Sequence, residues 1–240
     1  MTLTPQAAAL VSAVAQAMPG EMHTLGVEGL RAATTLAPRP DPTPIFDVSD
    51  LTVPAGDVGV PIRFYRPSDR SDLPLLMWMH GGGHVIGDLN INDELLRRLS
   101  IAAQVAIVSV DYRLAPEHPF PADLDDCVEV WSWLRSGPGN IPADTSRMAV
   151  GGESAGGTLA LALALRVRDE GGHGPDAVVS AYGPVEVRVS NPELGTQMLS
   201  AADCEWFWDL YITDPDDRNN PYCGIAHLAL RHRWKGSPPY

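Results

Sequence analysis

The sequence predicts a doubly wound α/β fold built on a mostly parallel sheet. Three observations carry that prediction. Short apolar runs alternate with helical patterns along the chain, a glycine-flanked serine separates one apolar run from the helix that follows it, and three consecutive glycines follow an earlier run. At 240 residues the chain is long enough for one large α/β domain with a single buried core.

Near the start, Thr4 and Pro5 form a helix start, a capping hydroxyl followed by a residue already fixed in φ. Leu10, Val11, Val14, Ala15 and Met18 then share one helical face, and Pro19-Gly20 ends it. A second helical pattern runs from Val27 to Leu36 and stops at the prolines Pro38, Pro40, Pro42 and Pro44. Val60, Ile62 and Phe64 alternate with polar or proline neighbours, as in a half-exposed antiparallel strand near a sheet edge. Leu75–Met79, Val105–Val110, Met148–Val150 and Ala177–Tyr182 read as buried parallel strands. Between them lie helical patterns over Glu94–Ala103, over Leu124 to Leu134, and over the densely apolar Ala155–Arg168. After Gly183-Pro184 the rhythm breaks into an insertion that holds a helix around Cys204–Tyr211 and ends in the turn-rich Asp214–Asn220.

The formal charge of −13 repels phosphate backbones and anionic membranes and argues against nucleic-acid binding. No stretch approaches the apolar length that spans a bilayer. The Ala-rich run from Ala7 to Met18 is not preceded by Lys or Arg, the first positive residue being Arg31, so it lacks the charged part of a signal peptide. The three cysteines, Cys127, Cys204 and Cys223, show no CxxC spacing. They fit free thiols in a reducing compartment, and no Cys/His pair has the spacing of a zinc site. The expectation is a cytoplasmic protein without a metal.

Two motifs carry chemistry. Gly152-Glu153-Ser154-Ala155-Gly156 fits G-x-S-x-G with a strand before it and a helix after it. That context holds the serine on a strained turn above the sheet edge, where a helix N-terminus favours developing negative charge. The bland alternative is an ordinary serine in a Gly-rich turn. His80-Gly81-Gly82-Gly83 follows the strand Leu75–Met79, and its bare backbone lets N–H groups approach a bound carbonyl. A phosphate cradle of the Walker type would need Lys-Ser/Thr next, and His84-Val85 stands there instead. His84 reads equally as a residue lining an acyl pocket or as a packed histidine. Asp111 with Arg113 reads as a pair that holds a turn at a strand end.

Taken with Gly87-Asp88 and with Val110-Asp111-Tyr112-Arg113-Leu114-Ala115-Pro116-Glu117-His118-Pro119-Phe120-Pro121-Ala122, these motifs resemble the bacterial hormone-sensitive-lipase-like carboxylesterases over nearly the whole chain. The resemblance implies an α/β-hydrolase fold as a single domain, with a helical cap formed by residues up to about 40 and by about 184–220. It implies hydrolysis of small carboxylic esters of short to medium acyl chain, without a cofactor. By position, Ser154 is the nucleophile, and Gly82, Gly83 and Ala155 lend oxyanion N–H groups. His80, Gly81, Gly152, Glu153 and Gly156 support the two motifs.

The same resemblance places a triad acid in an Asp-Pro-Leu-x-Asp stretch and a triad histidine in a His-Gly-Phe-like loop, and neither stretch occurs here. Asp214-Pro215-Asp216-Asp217 imitates the acid motif but belongs to the insertion. His227 and His232 follow Ser154 but belong near the edge where strands begin, and His23, His80 and His118 read as structural. The basic Arg231-His232-Arg233-Trp234-Lys235 stands out in an acidic chain. The expectation is a fold truncated at its C-terminus, lacking the last strands and helices, with no triad acid or histidine. Such a chain alone should be nearly inactive on p-nitrophenyl acetate or butyrate. An uncovered sheet edge should also promote self-association. The alternative is a non-catalytic protein that binds a small ligand on the same scaffold.

Overall fold

The computed structural model of the protein describes residues 4–17, 20–56, 59–187, 199–223 and 225. The first helix, α1 (Pro5–Ala17), starts as its sequence predicts, with the Thr4 hydroxyl accepting from the amide of Ala7 at 3.3 Å. A short 3-10 turn (Met22–Leu25) leads into α2 (Gly26–Thr34), which buries Leu30. Then follow β1 (Asp47–Val53), β2 (Val60–Arg66), β3 (Pro74–Met79), α3 (Asp93–Ala103), β4 (Ala106–Val110), α4 (Ala122–Arg135), β5 (Asp144–Glu153), α5 (Ala155–Asp169), β6 (Ala177–Ala181) and α6 (Ala201–Tyr211). Met18, Pro19, residues 188–198 of the insertion, His227, His232 and the basic run Arg231–Lys235 lie outside the described residues.

Among the described residues six strands form one sheet in the order β1-β2-β4-β3-β5-β6. β1 and β2 are antiparallel to their neighbours, and the other pairings are parallel. This is the doubly wound, mostly parallel arrangement that the rhythm of the sequence predicts. Alternate side chains divide the core between the two faces. Ile62, Phe64, Met77, Met79, Val108, Val110 and Val150 pack with Leu124, Cys127, Trp131, Leu159 and Leu163 of α4 and α5. On the other face Tyr65, Trp78 and Ile107 meet Leu96 of α3. Register aligns the strand ends that matter, because Met79 pairs with Val110 on one side and with Gly152 on the other. His80, Asp111 and Glu153 therefore emerge together at the C-terminal edge of the sheet.

Three features differ from the sequence reading. β1 is an edge strand that the reading missed, since Asp47, Ser49 and Asp50 interrupt its apolar residues. Ala177–Tyr182 is not a buried strand. Val179 is 49% exposed and Tyr182 78% exposed, because β6 lies at the end of the strand order among the described residues. Arg113 does not hold Asp111. Its guanidinium grips Asp126 of α4, with Nη2 to Oδ1 at 2.8 Å, while its own amide donates to the same carboxylate at 2.9 Å.

The segment from His23 to Arg31 is fixed to this frame by polar contacts. Arg31 of α2 donates from Nε to the carbonyl of Val85 at 2.9 Å and from Nη2 to the carbonyl of Ala115 at 2.9 Å. The same guanidinium forks onto both carboxylate oxygens of Glu117. His23 meets Asp203 at the start of α6, through both its amide and its Nδ1, each at 2.9 Å. Ser200 and Asp203 there complete a reciprocal capping box.

Candidate active site

Ser154 stands between β5 and α5 with φ 51° and ψ −124°. A residue with a side chain avoids positive φ, so the surroundings must impose this conformation. They do so by close packing. A Cβ on Gly156 would lie 2.1 Å from the carbonyl oxygen of Met79 and 2.5 Å from that of His80, so the first turn of α5 rests on the backbone end of β3. The amide of Ser154 donates to the carbonyl of Ala181 at 2.9 Å, and the Ser154 carbonyl accepts from Gly157 and Thr158 to begin the helix.

The triglycine loop leaves the same edge. The amides of Val85 and Ile86 both donate to the carbonyl of Gly82 at 3.0 Å. Gly82 itself has φ 126°, and a Cβ there would lie 2.0 Å from the Ile86 oxygen, so only glycine can make this turn. His80 anchors its start. The imidazole is stacked on Tyr112 with centroids 4.3 Å apart, its Nδ1 lies 2.7 Å from the carbonyl of Gly81, and the Tyr112 hydroxyl donates to the His80 carbonyl at 2.6 Å. Burial pushes the His80 imidazole down to about 4, so it stays neutral at ordinary pH.

Glu153 joins the loop to the elbow. Its Oε1 accepts from the amide of Gly81 at 2.5 Å and from Asn92 Nδ2 at 2.8 Å, and its Oε2 accepts from Trp78 Nε1 at 3.0 Å. A Cβ built on Gly81 would lie 3.1 Å from Cβ of Ser154, so the two motifs are in direct contact. Within the described residues, the amides of Gly82 and Gly83 have no acceptor. Ala155 opens α5, so its amide lies ahead of the intrahelical ladder. The sequence reading placed Glu153 only as motif support. The signal it passed over is a carboxylate among glycines at a strand end, which calls for donors nearby.

The described histidines are engaged elsewhere. His23 bonds Asp203, His84 Nδ1 lies 2.7 Å from Asp123, and His118 and His173 are exposed. Among the described residues no imidazole is hydrogen-bonded to the Ser154 hydroxyl. Asp214, the acid-motif mimic, caps the amide of Asp216 in a short 3-10 turn.

Asp111 borders the site. Burial first, and then the charge of Asp88, push its carboxyl up to about 6 from 3.8. The native state thus holds this proton more tightly than the unfolded chain, so ionisation destabilises the fold. The penalty is absent below pH ~4, grows as pH rises toward ~6 and is complete above that. Asp111→Asn is expected to stabilise the protein at pH 8 by about 1 kcal/mol, allowing for solvent screening, and to change little at pH 3.5. Urea unfolding at the two pH values checks this, and an equal gain at both would refute it.

A family model of the alpha/beta hydrolase fold matches residues 76–240. The esterase LipI of Mycobacterium tuberculosis is 41% identical over 152 residues, which cover 61% of this chain and 47% of LipI. The carboxylic ester hydrolase LipN of the same organism is 36% identical over 186 residues, covering 74% of this chain and 50% of LipN. The chain thus spans about half the length of these curated relatives. Among solved structures, the hyperthermophilic esterase of Pyrobaculum calidifontis matches with a TM-score of 0.82 at 30% identity, over 94% of this chain and 75% of that one. A mutant of LAE6, an α/β hydrolase enzyme from the metagenome of Lake Arreo, matches with a TM-score of 0.85 at 29% identity, over 99% and 78% of the two chains. This chain belongs to the α/β-hydrolase fold family. Among the described residues no helix is long and apolar enough to cross a membrane.

Proposed function

We propose that the chain carries the nucleophile and oxyanion site of a serine hydrolase acting on small carboxylic esters. Ser154 Oγ attacks the ester carbonyl carbon, and the N–H groups of Gly82, Gly83 and Ala155 hold the resulting oxyanion. The alcohol leaves with a proton, and water then hydrolyses the acyl-enzyme. The observation that carries this reading is the positive-φ Ser154 in contact with the triglycine loop, with Glu153 bonded across the junction. The two helical regions tied by His23 and Asp203 supply the cap in this proposal.

A serine hydroxyl needs an imidazole to take its proton, and no described histidine is bonded to Ser154. We therefore propose that the 240-residue chain alone turns over slowly, keeping mainly binding and oxyanion contributions, on the order of 10³–10⁴ over water. The test is hydrolysis of p-nitrophenyl acetate and butyrate by this chain, with Ser154→Ala beside it. Slow turnover, on the order of 10³–10⁴ over water and little changed in Ser154→Ala, is the expected result. Fast turnover lost in Ser154→Ala would overturn the proposed lack of a base. Hydrolysis by this chain no faster than in buffer alone would sink the esterase reading.

That no described imidazole is bonded to Ser154 is also what favours the second reading, a non-catalytic receptor for a small ligand. Ligand binding without any adduct on Ser154 would select it. Self-association through the exposed β6 belongs to the same proposal, and sedimentation of this preparation as a monomer at all concentrations would exclude it. The free Cys127, Cys204 and Cys223 support a cytoplasmic location, which cell fractionation checks.

A further inference from the structure

The oxyanion loop is fastened at a second place, by a buried polar network that the proposed chemistry does not use. His84 follows the last glycine and is 3% exposed. Its Nδ1 lies 2.7 Å from Oδ2 of Asp123, a fully buried carboxylate in the first turn of α4. The other oxygen, Oδ1, accepts from the hydroxyl of Tyr211 at 2.9 Å and from the amide of Leu124 at 2.7 Å. With Tyr211 and Leu124 donating to this carboxylate, the His84 tautomer that fits the contact carries its proton at Nδ1. Burial, and next the charge of Asp123, raise the Tyr211 phenol well above its usual range, which keeps it a donor.

Tyr211 belongs to α6, and that helix lies directly on the loop. The Tyr211 ring stacks on His84 with centroids 3.8 Å apart. Trp208 flanks the imidazole at 5.8 Å, and a Cβ on Gly83 would lie 2.6 Å from the Phe207 ring. The carbonyl of His84 accepts from Ala115, and that of Tyr211 accepts from Phe120, so both partners are also held through their backbones. His84 has φ 64°, a left-handed conformation that a β-carbon disfavours, and the carboxylate and the stacked ring hold it there.

We propose that His84, Asp123 and Tyr211 are positioning residues. Together they lock α6 onto the oxyanion loop and set the orientation of the Gly83 amide that faces the reacting carbonyl. The assignment of that amide rests on the esterase reading above, whereas the coupling of α6 to the loop does not. A disturbance at Tyr211 should therefore reach the loop through Asp123, without contact to substrate.

The experiment uses the 240-residue chain and the variants Asp123→Asn, Tyr211→Phe and their combination. Two readouts are taken: amide hydrogen exchange over residues 79–86, and the reaction of Ser154 with a fluorophosphonate, separated into KI and the limiting rate kinact. Asp123→Asn should speed exchange over 79–86 about tenfold, while residues 106–110 of β4 stay protected. It should lower kinact about tenfold with KI within about twofold, since oxyanion donors act on the transition state. Tyr211→Phe, which leaves the His84–Asp123 pair in place, should shift both readouts in the same direction by less. The double variant should match Asp123→Asn alone. Unchanged exchange over 79–86 in both single variants would overturn the proposal, and so would an unchanged kinact beside a lowered melting temperature. If wild-type Ser154 does not react, as the lack of a bonded imidazole among the described residues allows, the exchange data alone decide the coupling.

Discussion

Replacing Glu153 by alanine is expected to lower the unfolding free energy by about 3–5 kcal/mol and to cut the reaction of Ser154 with a fluorophosphonate by an order of magnitude or more. The carboxylate accepts from Gly81, Asn92 and Trp78, and removing it leaves three partly buried donors without their acceptor. Two of those donors sit on the sequences that shape the loop, Gly81 within it and Trp78 at the end of β3. The loss therefore falls on reactivity as well as on stability. Glu153→Gln separates the two effects. Its carbonyl oxygen can still serve Gly81 and Asn92, while its amide nitrogen sets a donor against Trp78 Nε1. That variant should cost about 1–3 kcal/mol and keep most of the reactivity. Denaturant unfolding and labelling kinetics measure both. If Glu153→Ala were as stable and as reactive as wild type, Glu153 would not be the link between loop and elbow.

Gly156→Ala should have an effect at least as large. The added methyl would lie 2.1 Å from the Met79 carbonyl oxygen, and backbone on both sides leaves nothing flexible to move aside. Either α5 retreats from β3 or the turn at Ser154 opens, at a cost of about 3–5 kcal/mol. The Ser154 conformation is imposed by that same packing, so fluorophosphonate labelling should fall with the melting temperature. Circular dichroism with labelling on one sample checks this. A folded, fully labelled Gly156→Ala would show that the elbow does not depend on close approach of helix and strand.

Local patterns made much of this architecture legible in the sequence. The apolar run before Gly152 and the dense apolar helix after Ser154 pin the elbow, because no other element supplies a strained turn at that place. The triglycine run marks the loop for the same reason. β1 was not legible, because polar residues interrupt its apolar ones and its strand character comes from pairing with β2. β6 misled in the opposite sense. Ala177, Val178 and Val179 are apolar enough to read as buried, but position in the strand order decides exposure. Pairings between distant residues were the least accessible. Arg113 with Asp126 and His84 with Asp123 depend on where α4 begins relative to two loops, and sequence spacing does not encode that. Glu153 was visible as a letter of its motif, while its three donors come together only when β3 and β5 align.

Arg31 gives the N-terminal helix a grip of a particular kind. One guanidinium holds two carbonyls from separate stretches and a carboxylate beyond them. Such a segment is portable between relatives only as a matched set. A chimera that imports a foreign α2 keeps its seat where the donor brings a forked cation at this place and the recipient retains Glu117. A lysine there, with one charged tip in place of a planar fork, would reach one of these acceptors and abandon the rest.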